Sequence, residues 1–297
     1  MHTPGIGAAA VLLLSGATLP AVAEPRTLYE KLAFSRTIVI GTCVEQGRFA
    51  KIDVAEVLKG DVAPPQILIA YRLANWDRTS PEEEKIEFLV GERSILLIEP
   101  DATEDGRVRE SGRFVLARGA EGKITVPEEG SQALLAAVRR MIEIQGITDQ
   151  NAQWDAHRAL LEEANPLLVE TGIEEVLKFR LGTQAMLPTL DRFLTHPRDG
   201  YRMGAVRILV QLLEGARRRG EKIPDLDSIG ADLMAVLGGD PVPEIRARAV
   251  QALCLTPRSD LADTLRQAAR ADASQIVRYE AQRALRDLKP ASVSGSP

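Results

Sequence analysis

The sequence predicts a two-domain α+β protein: a small antiparallel β-barrel over residues 24–130, then an α-solenoid of helix pairs over residues 131–289. Three observations carry this. Short β-branched runs separated by Gly and Pro turns fill the first half. Beyond residue 131 the apolar spacing becomes helical. Finally, the phrase "IRARAVQAL", ending at Leu253, returns as "VRYEAQRAL", ending at Leu285. At 297 residues the chain is long enough for two buried cores, and its 45% hydrophobic and 27% charged content is that of a globular protein.

Taken in order, the first element is an export signal. "IGAAAVLLLSGATL" is an apolar core, and "AVA" at Ala21–Ala23 fits the small-x-small cleavage rule, so cleavage is expected after Ala23 with a periplasmic or secreted product. The basic residue that usually precedes such a core is absent; only His2 stands there. The apolar run of 14 residues is shorter than the ~20 needed to span a bilayer, so no integral membrane segment is expected after cleavage.

The strand runs follow: "TIVIGTCV" (Thr37–Val44), "FAKIDVAEVLKG" ending at Gly60, "QILIAY" (Gln66–Tyr71), "ERSILLIE" (Glu92–Glu99), "GRFVLARG" (Gly112–Gly119) and "GKITV" (Gly122–Val126). In "EVLKG" the expectation is a strand closed by Val57 and Leu58, a solvated Lys59, and Gly60 in a turn conformation that a side chain resists. A long connection between the third and fourth runs carries Trp76 and the acidic run Glu82–Glu84, read as a solvated face. Val54, Val57, Leu58, Lys59 and Gly60, followed by Gly91, Glu92, Leu96 and Leu97, resemble the "V-x-x-VLKG" and later "GE" strands of bacterial exported domains with the netrin/tissue-inhibitor-of-metalloproteinase-like fold. That resemblance, over about 100 residues, implies an OB-type barrel. It does not carry protease inhibition across, because Glu24 stands where the animal inhibitors place a zinc-binding Cys, and Cys43 is the only cysteine of this half.

The helical half opens with "SQALLAAVRRMIEIQ" (Ser131–Gln145) and "AQWDAHRALLEEANP", two entry helices. Three pairs follow, each an amphipathic segment, a break ("HPRDG", "GGDPVPE", "RADASQ") and a copy of the repeated phrase. Aligned copies place Arg202, Arg246 and Arg278 at one offset, with Ala205, Ala249 and Ala281 three residues on. Small residues let helices approach closely, and a pair that cannot cover its own apolar stripe stacks on the next. These copies resemble short bacterial HEAT repeats, D-x-x-[VI]-R-x-x-A-x-x-A-L in outline, with Asp240 and Asp272 five residues before Ile245 and Val277. Asp there also suits a helix start. The basic run "GARRRGEK" (Gly215–Lys222) reads as an exposed loop between pairs, and a tail at 290–297 is expected to be disordered.

Function classes narrow by exclusion. Residues 24–130 hold 15 Lys/Arg against 20 Asp/Glu and residues 131–297 hold 22 of each, so neither half has the basic balance of a nucleic-acid binder. Aromatics at 4% argue against a base-stacking platform. No HExxH or CxxC spacing points to a metal, no strand-linked Gly loop points to a phosphate, and no cofactor is expected. Cys43 and Cys254 sit in apolar patterns and read as buried thiols rather than a disulfide. His157 falls on a polar-looking helix face and His196 at a helix end. The expectation is an exported, non-enzymatic adaptor that binds a protein partner through the solenoid. Candidate partner-binding residues are Arg202, Arg246, Arg278, Trp76 and Trp154. The arginines have a structural alternative, pairing with acidic residues of the neighbouring repeat, and the tryptophans another, bridging the domains. A hydrolase at the domain junction, built on converging carboxylates, and a protease-regulating β domain are the other function classes.

Overall fold

A computed structural model describes residues 27–60, 64–70, 86–102, 112–117, 119–256 and 259–288. The export segment, Trp76, the Glu82–Glu84 run and the tail at 290–297 lie outside the described residues. Helix α1 (Leu28–Phe34) begins with a capping box that the strand-centred reading passed over: Glu30 N–H donates to the Thr27 hydroxyl at 3.1 Å, and the Glu30 carboxylate accepts from Thr27 N–H at 3.4 Å.

All six predicted strands form: β1 (Thr37–Gln46), β2 (Ala50–Lys59), β3 (Gln66–Ile69), β4 (Arg93–Pro100), β5 (Arg113–Leu116) and β6 (Lys123–Thr125). Their order is β1-β2-β3-β5-β4, and β4 pairs back onto β1, closing a five-stranded barrel, while β6 adds to β4. The expectation of a wholly antiparallel barrel is corrected at one pairing, since β3 and β5 run parallel. Geometry requires it, because strict alternation around a closed ring needs an even number of strands.

The uninterrupted apolar runs of β1 and β4 have a simple cause, burial on both faces. Val39, Cys43, Ile52, Ile67, Ile69, Leu96 and Ile98 fill the barrel. Ile38, Ile40, Ile95 and Leu97 point the other way, into a second core with Tyr29 and Leu32 of α1 and Leu135, Val138, Met141 and Ile144 of α2 (Ser131–Gln145). The apolar core therefore runs straight through the 130/131 boundary between the barrel and the first entry helix.

Lys59 corrects another expectation. Instead of standing in solvent, its Nζ donates to the Leu32 carbonyl at 2.9 Å, to Ala33 at 3.4 Å and to Gln145 Oε1 at 3.3 Å. Gln145 in turn donates to the Tyr29 carbonyl at 2.9 Å. The ammonium satisfies carbonyls left open at the end of α1, where a cation is favoured, and so ties β2 to α1 and α2. Burial pushes its pKa down.

Helices α3 (Gln150–Ala159) and α4 (Pro166–Phe179) lead into three pairs: α5 (Leu187–Leu194) with α6 (Asp199–Arg219), α7 (Leu226–Gly239) with α8 (Pro243–Leu253), and α9 (Leu261–Ala271) with α10 (Gln275–Leu288). Between pairs, α6 packs on α8 and α8 on α10, while α5 meets α7 and α7 meets α9. The alanines of the repeated phrase lie in these seams: Ala205, Ala249, Ala252 and Ala281 are fully buried. The basic run is not a loop. Gly215–Arg219 is the last stretch of α6, ended by Gly220 in the left-handed conformation (φ 66°). Three arginines in that final turn complement the negative end of the helix dipole, which is why the helix continues through them.

Candidate functional site

Each helix pair turns on an arginine at the same offset, held by carbonyls of its own turn. Arg246, on α8, sends Nη1 back to the Asp240 carbonyl of its own turn at 2.7 Å, while Nε and Nη2 bind the Asp272 carboxylate of the next turn at 2.9 and 2.8 Å. Arg202, on α6, repeats the arrangement one layer earlier. Its Nη1 donates to the His196 and Pro197 carbonyls at 2.9 and 3.0 Å, and its fork binds Asp240 at 2.7 and 3.2 Å. Both aspartates also accept a backbone N–H two residues on, from Val242 and Ser274 at 2.8 Å each. The aspartates thus do the helix-start work read from the sequence and, in addition, join one pair to the next. Hydrogen bonding to Arg246 outweighs burial and holds the Asp272 carboxyl below the usual range. Planar bidentate pairing of this kind is specific to Arg; Lys does not reproduce it.

This ladder separates the three candidate arginines. Arg202 is 8% exposed, and both its fork and its Nη1 are engaged inside the stack. Arg246 is engaged the same way. Arg278, on α10, keeps the inner half of the pattern, with Nη1 donating to the Asp272 and Ala273 carbonyls at 2.7 and 2.9 Å. Among the described residues, no carboxylate meets its fork. Around it the last helix exposes Ile276 at 45% and Tyr279 at 56%.

Trp154 is half-buried and packs against the helical core, next to the pairs rather than across the barrel junction. One turn on, His157 is the residue that reaches the barrel side, and its expected polar face is corrected. The imidazole is 2% exposed and stands edge-on to the Tyr29 ring at 5.0 Å. His196 is as read: its Nδ1 accepts from Arg198 N–H at 3.1 Å and its ring stacks on Tyr201 at 4.3 Å. Cys43 is buried and Cys254 partly so, and the two remain free thiols.

A feature the sequence did not announce lies near Tyr29. Glu175 of α4 is 1% exposed, and among the described residues neither its carboxylate oxygens nor His157 Nδ1 has a hydrogen-bond partner. Lys178 pairs with Glu30 of α1 at 2.5 Å. Burial pushes the Glu175 carboxyl up, Lys178 opposing and Glu30 and Glu174 adding to the rise. Burial, then the Lys178 charge, pushes the His157 imidazole down. The Tyr29 hydroxyl is pushed up to about 12 by burial and by Glu175. A sequence signal existed: Glu175 sits within the apolar stripe that contains Ile173, Val176 and Leu177.

The signs of these shifts fix a pH dependence. A carboxyl raised in the folded state makes the folded chain bind more protons, so its contribution is complete below the ordinary value of 4.5 and lost as pH rises through the raised one. The lowered imidazole acts oppositely, its contribution present above 6.5 and lost as pH falls through the lowered value. Glu175→Leu, close in volume and free of unpaired oxygens, is expected to raise stability by about 1–3 kcal/mol at pH 7. It should also flatten the loss of stability between pH 4.5 and neutrality. Urea titrations across that range check both effects; a destabilised variant at pH 7 would contradict them.

A hydrolytic reading asks for carboxylates converging in a cleft, and in the larger grooves among the described residues the acids are already paired. A groove of about 250 Å³ includes Asp155, Arg158, Glu162 and Thr189. Its acids are already taken, Asp155 by Arg158 and Glu162 by Thr189 and Arg192. Asp191 and Asp232 do meet, and burial followed by the hydrogen bond that the Asp232 carboxyl donates to Asp191 raises the Asp232 carboxyl, but Asp191 lies exposed on the outside of α5. No family model matches the chain, and neither does any curated protein or solved structure.

Proposed function

We propose that the chain is an exported, non-enzymatic adaptor, an OB-type barrel head joined to a short HEAT-like solenoid that binds a protein partner. One observation carries the reading: the same arginine–aspartate rule is repeated from pair to pair, which makes the helical half a modular array whose last described helix, α10, keeps the carbonyl-held arginine of that rule. Stacked arrays of this kind present extended surfaces for proteins. The strand order, with β3 parallel to β5 and β4 closing on β1, supports the OB-type assignment. The "AVA" site before Glu24 supports export to the periplasm or beyond.

The test is crosslinking capture from the envelope of the exporting cell with the mature chain as bait, run beside two surface variants. Ile276→Asp/Tyr279→Asp alters the end of the stack, and Leu89→Asp/Val90→Asp alters an exposed turn of the β domain (55% and 64% exposed). A discrete protein captured by the wild type and lost with the first variant supports the solenoid as the binding surface. Loss with the second variant alone would hand binding to the barrel. Capture of nothing by any bait would refute the adaptor.

A further inference from the structure

The helix pairs show what covers each layer, and the last layer lacks that cover among the described residues. On α6, Met203 and Val206 sit one and four residues after Arg202; on α8, Ala247 and Val250 hold the same offsets from Arg246. Val206, Ala247 and Val250 are 0%, 4% and 1% exposed, and Met203 is half-buried against the helical core. On α10 the corresponding residues are Tyr279 and Gln282, and both are exposed. The arginine itself is already set. Arg278 Nη1 is held by two carbonyls just as in Arg202, so the guanidinium plane is oriented and little side-chain entropy is left to lose on pairing.

We propose that this end of the stack is a docking site for a protein partner that presents an aspartate at the start of a helix, the aspartate binding the Arg278 fork as Asp240 and Asp272 bind Arg202 and Arg246. The inference rests on the adaptor reading and names the chemistry of its partner. A second copy of this chain is a poor occupant. Its Asp240 and Asp272 are already spent within its own ladder, and its first pair carries His196 where the later pairs carry those aspartates, six residues before the arginine. Residues 289–297 contain neither Asp nor Glu. Gln282 in place of the two valines makes the face amphipathic rather than core-like, which suits a reversible contact anchored by an aromatic and a charge pair.

The probe is a fluorescent synthetic peptide of residues 259–288, whose Asp272 lies at the start of α10, titrated into the full mature chain by anisotropy. Saturable binding is expected, weakened roughly tenfold or more when the peptide carries Asp272→Asn or the protein carries Arg278→Gln. Tyr279→Ala, at an exposed position, is expected to weaken binding without moving the unfolding transition, so a loss seen there is not a loss of fold. The Arg278 Nε–H resonance is expected to move toward those of Arg202 and Arg246 as the peptide binds. Equal affinity for the Asp and Asn peptides, binding that survives Arg278→Gln, or Arg278-dependent self-association in sedimentation would each overturn the proposal. Partner capture from the envelope that persists with Arg278→Gln would overturn this site while leaving the adaptor standing.

Discussion

Asp240→Ala is expected to lower the free energy of unfolding by about 3–5 kcal/mol, the usual loss when one member of a buried ion pair is removed. The side chains of Arg202 and Asp240 are 10% and 3% exposed, so the deletion leaves a guanidinium without its counter-charge in a place water reaches poorly. It also removes the acceptor for Val242 N–H at the start of α8. The penalty belongs to the orphaned charge more than to the lost attraction. The double variant Arg202→Met/Asp240→Ala should therefore recover a large part of the stability, and a double-mutant cycle in urea should show strong coupling between the two positions. Additive losses would mean that the ladder is decoration on a stack held by its alanine seams alone. Asp272→Ala should behave alike, with a smaller loss because Arg246 and Asp272 are slightly more open, at 12% and 10%.

Gly60→Ala is expected to cost about 3 kcal/mol and to loosen the barrel from α1. Gly60 has φ 92°, a region that L side chains resist, and a Cβ there would stand 2.5 Å from the Arg36 carbonyl oxygen. The clash is with backbone, so no rotamer change relieves it. Strain of this size adds to displacement of the neighbouring Lys59, whose ammonium holds the end of α1. Thermal unfolding followed by circular dichroism measures the loss. A control at Gly47, where an added Cβ meets nothing within 4 Å, should be nearly silent. Equal effects at the two glycines would show that the turn at Gly60 is not the constraint.

Much of the fold was legible because it is periodic. All six strands were visible as β-branched runs between turn residues, and α2 begins and ends at the residues its apolar spacing marks, Ser131 and Gln145. The repeated phrase located α6, α8 and α10, and its alanines are the buried seam. Local chemistry was less transparent when two signals competed. "GARRRG" looked like a loop because its charge was read before its place at a helix end, where positive charge is favoured. His157 looked polar because its immediate neighbours are; the ring that covers it, Tyr29, lies far away in sequence.

The candidate site divides the same way. The recurring arginine offset and the two aspartates could be read directly from the chain, since both obey one spacing rule. Which arginine remains open could not, because that depends on whether a following layer supplies a carboxylate. Glu175 escaped for a related reason: one acid in an apolar stripe says nothing of its partners until α1 and α3 are in place.

By itself, then, the sequence determined the elements, their order and the repeat, because helical and strand periodicities and turn residues are local properties of the chain. Only the tertiary structure decided the parallel β3–β5 pairing, the core shared by barrel and α2, the capping of α1 by Lys59, and the division of three equivalent arginines into two whose forks bind an aspartate of the next pair and one whose fork meets none among the described residues. Each of these turns on which distant residues meet, and contact between distant residues is settled by packing, not by spacing along the chain.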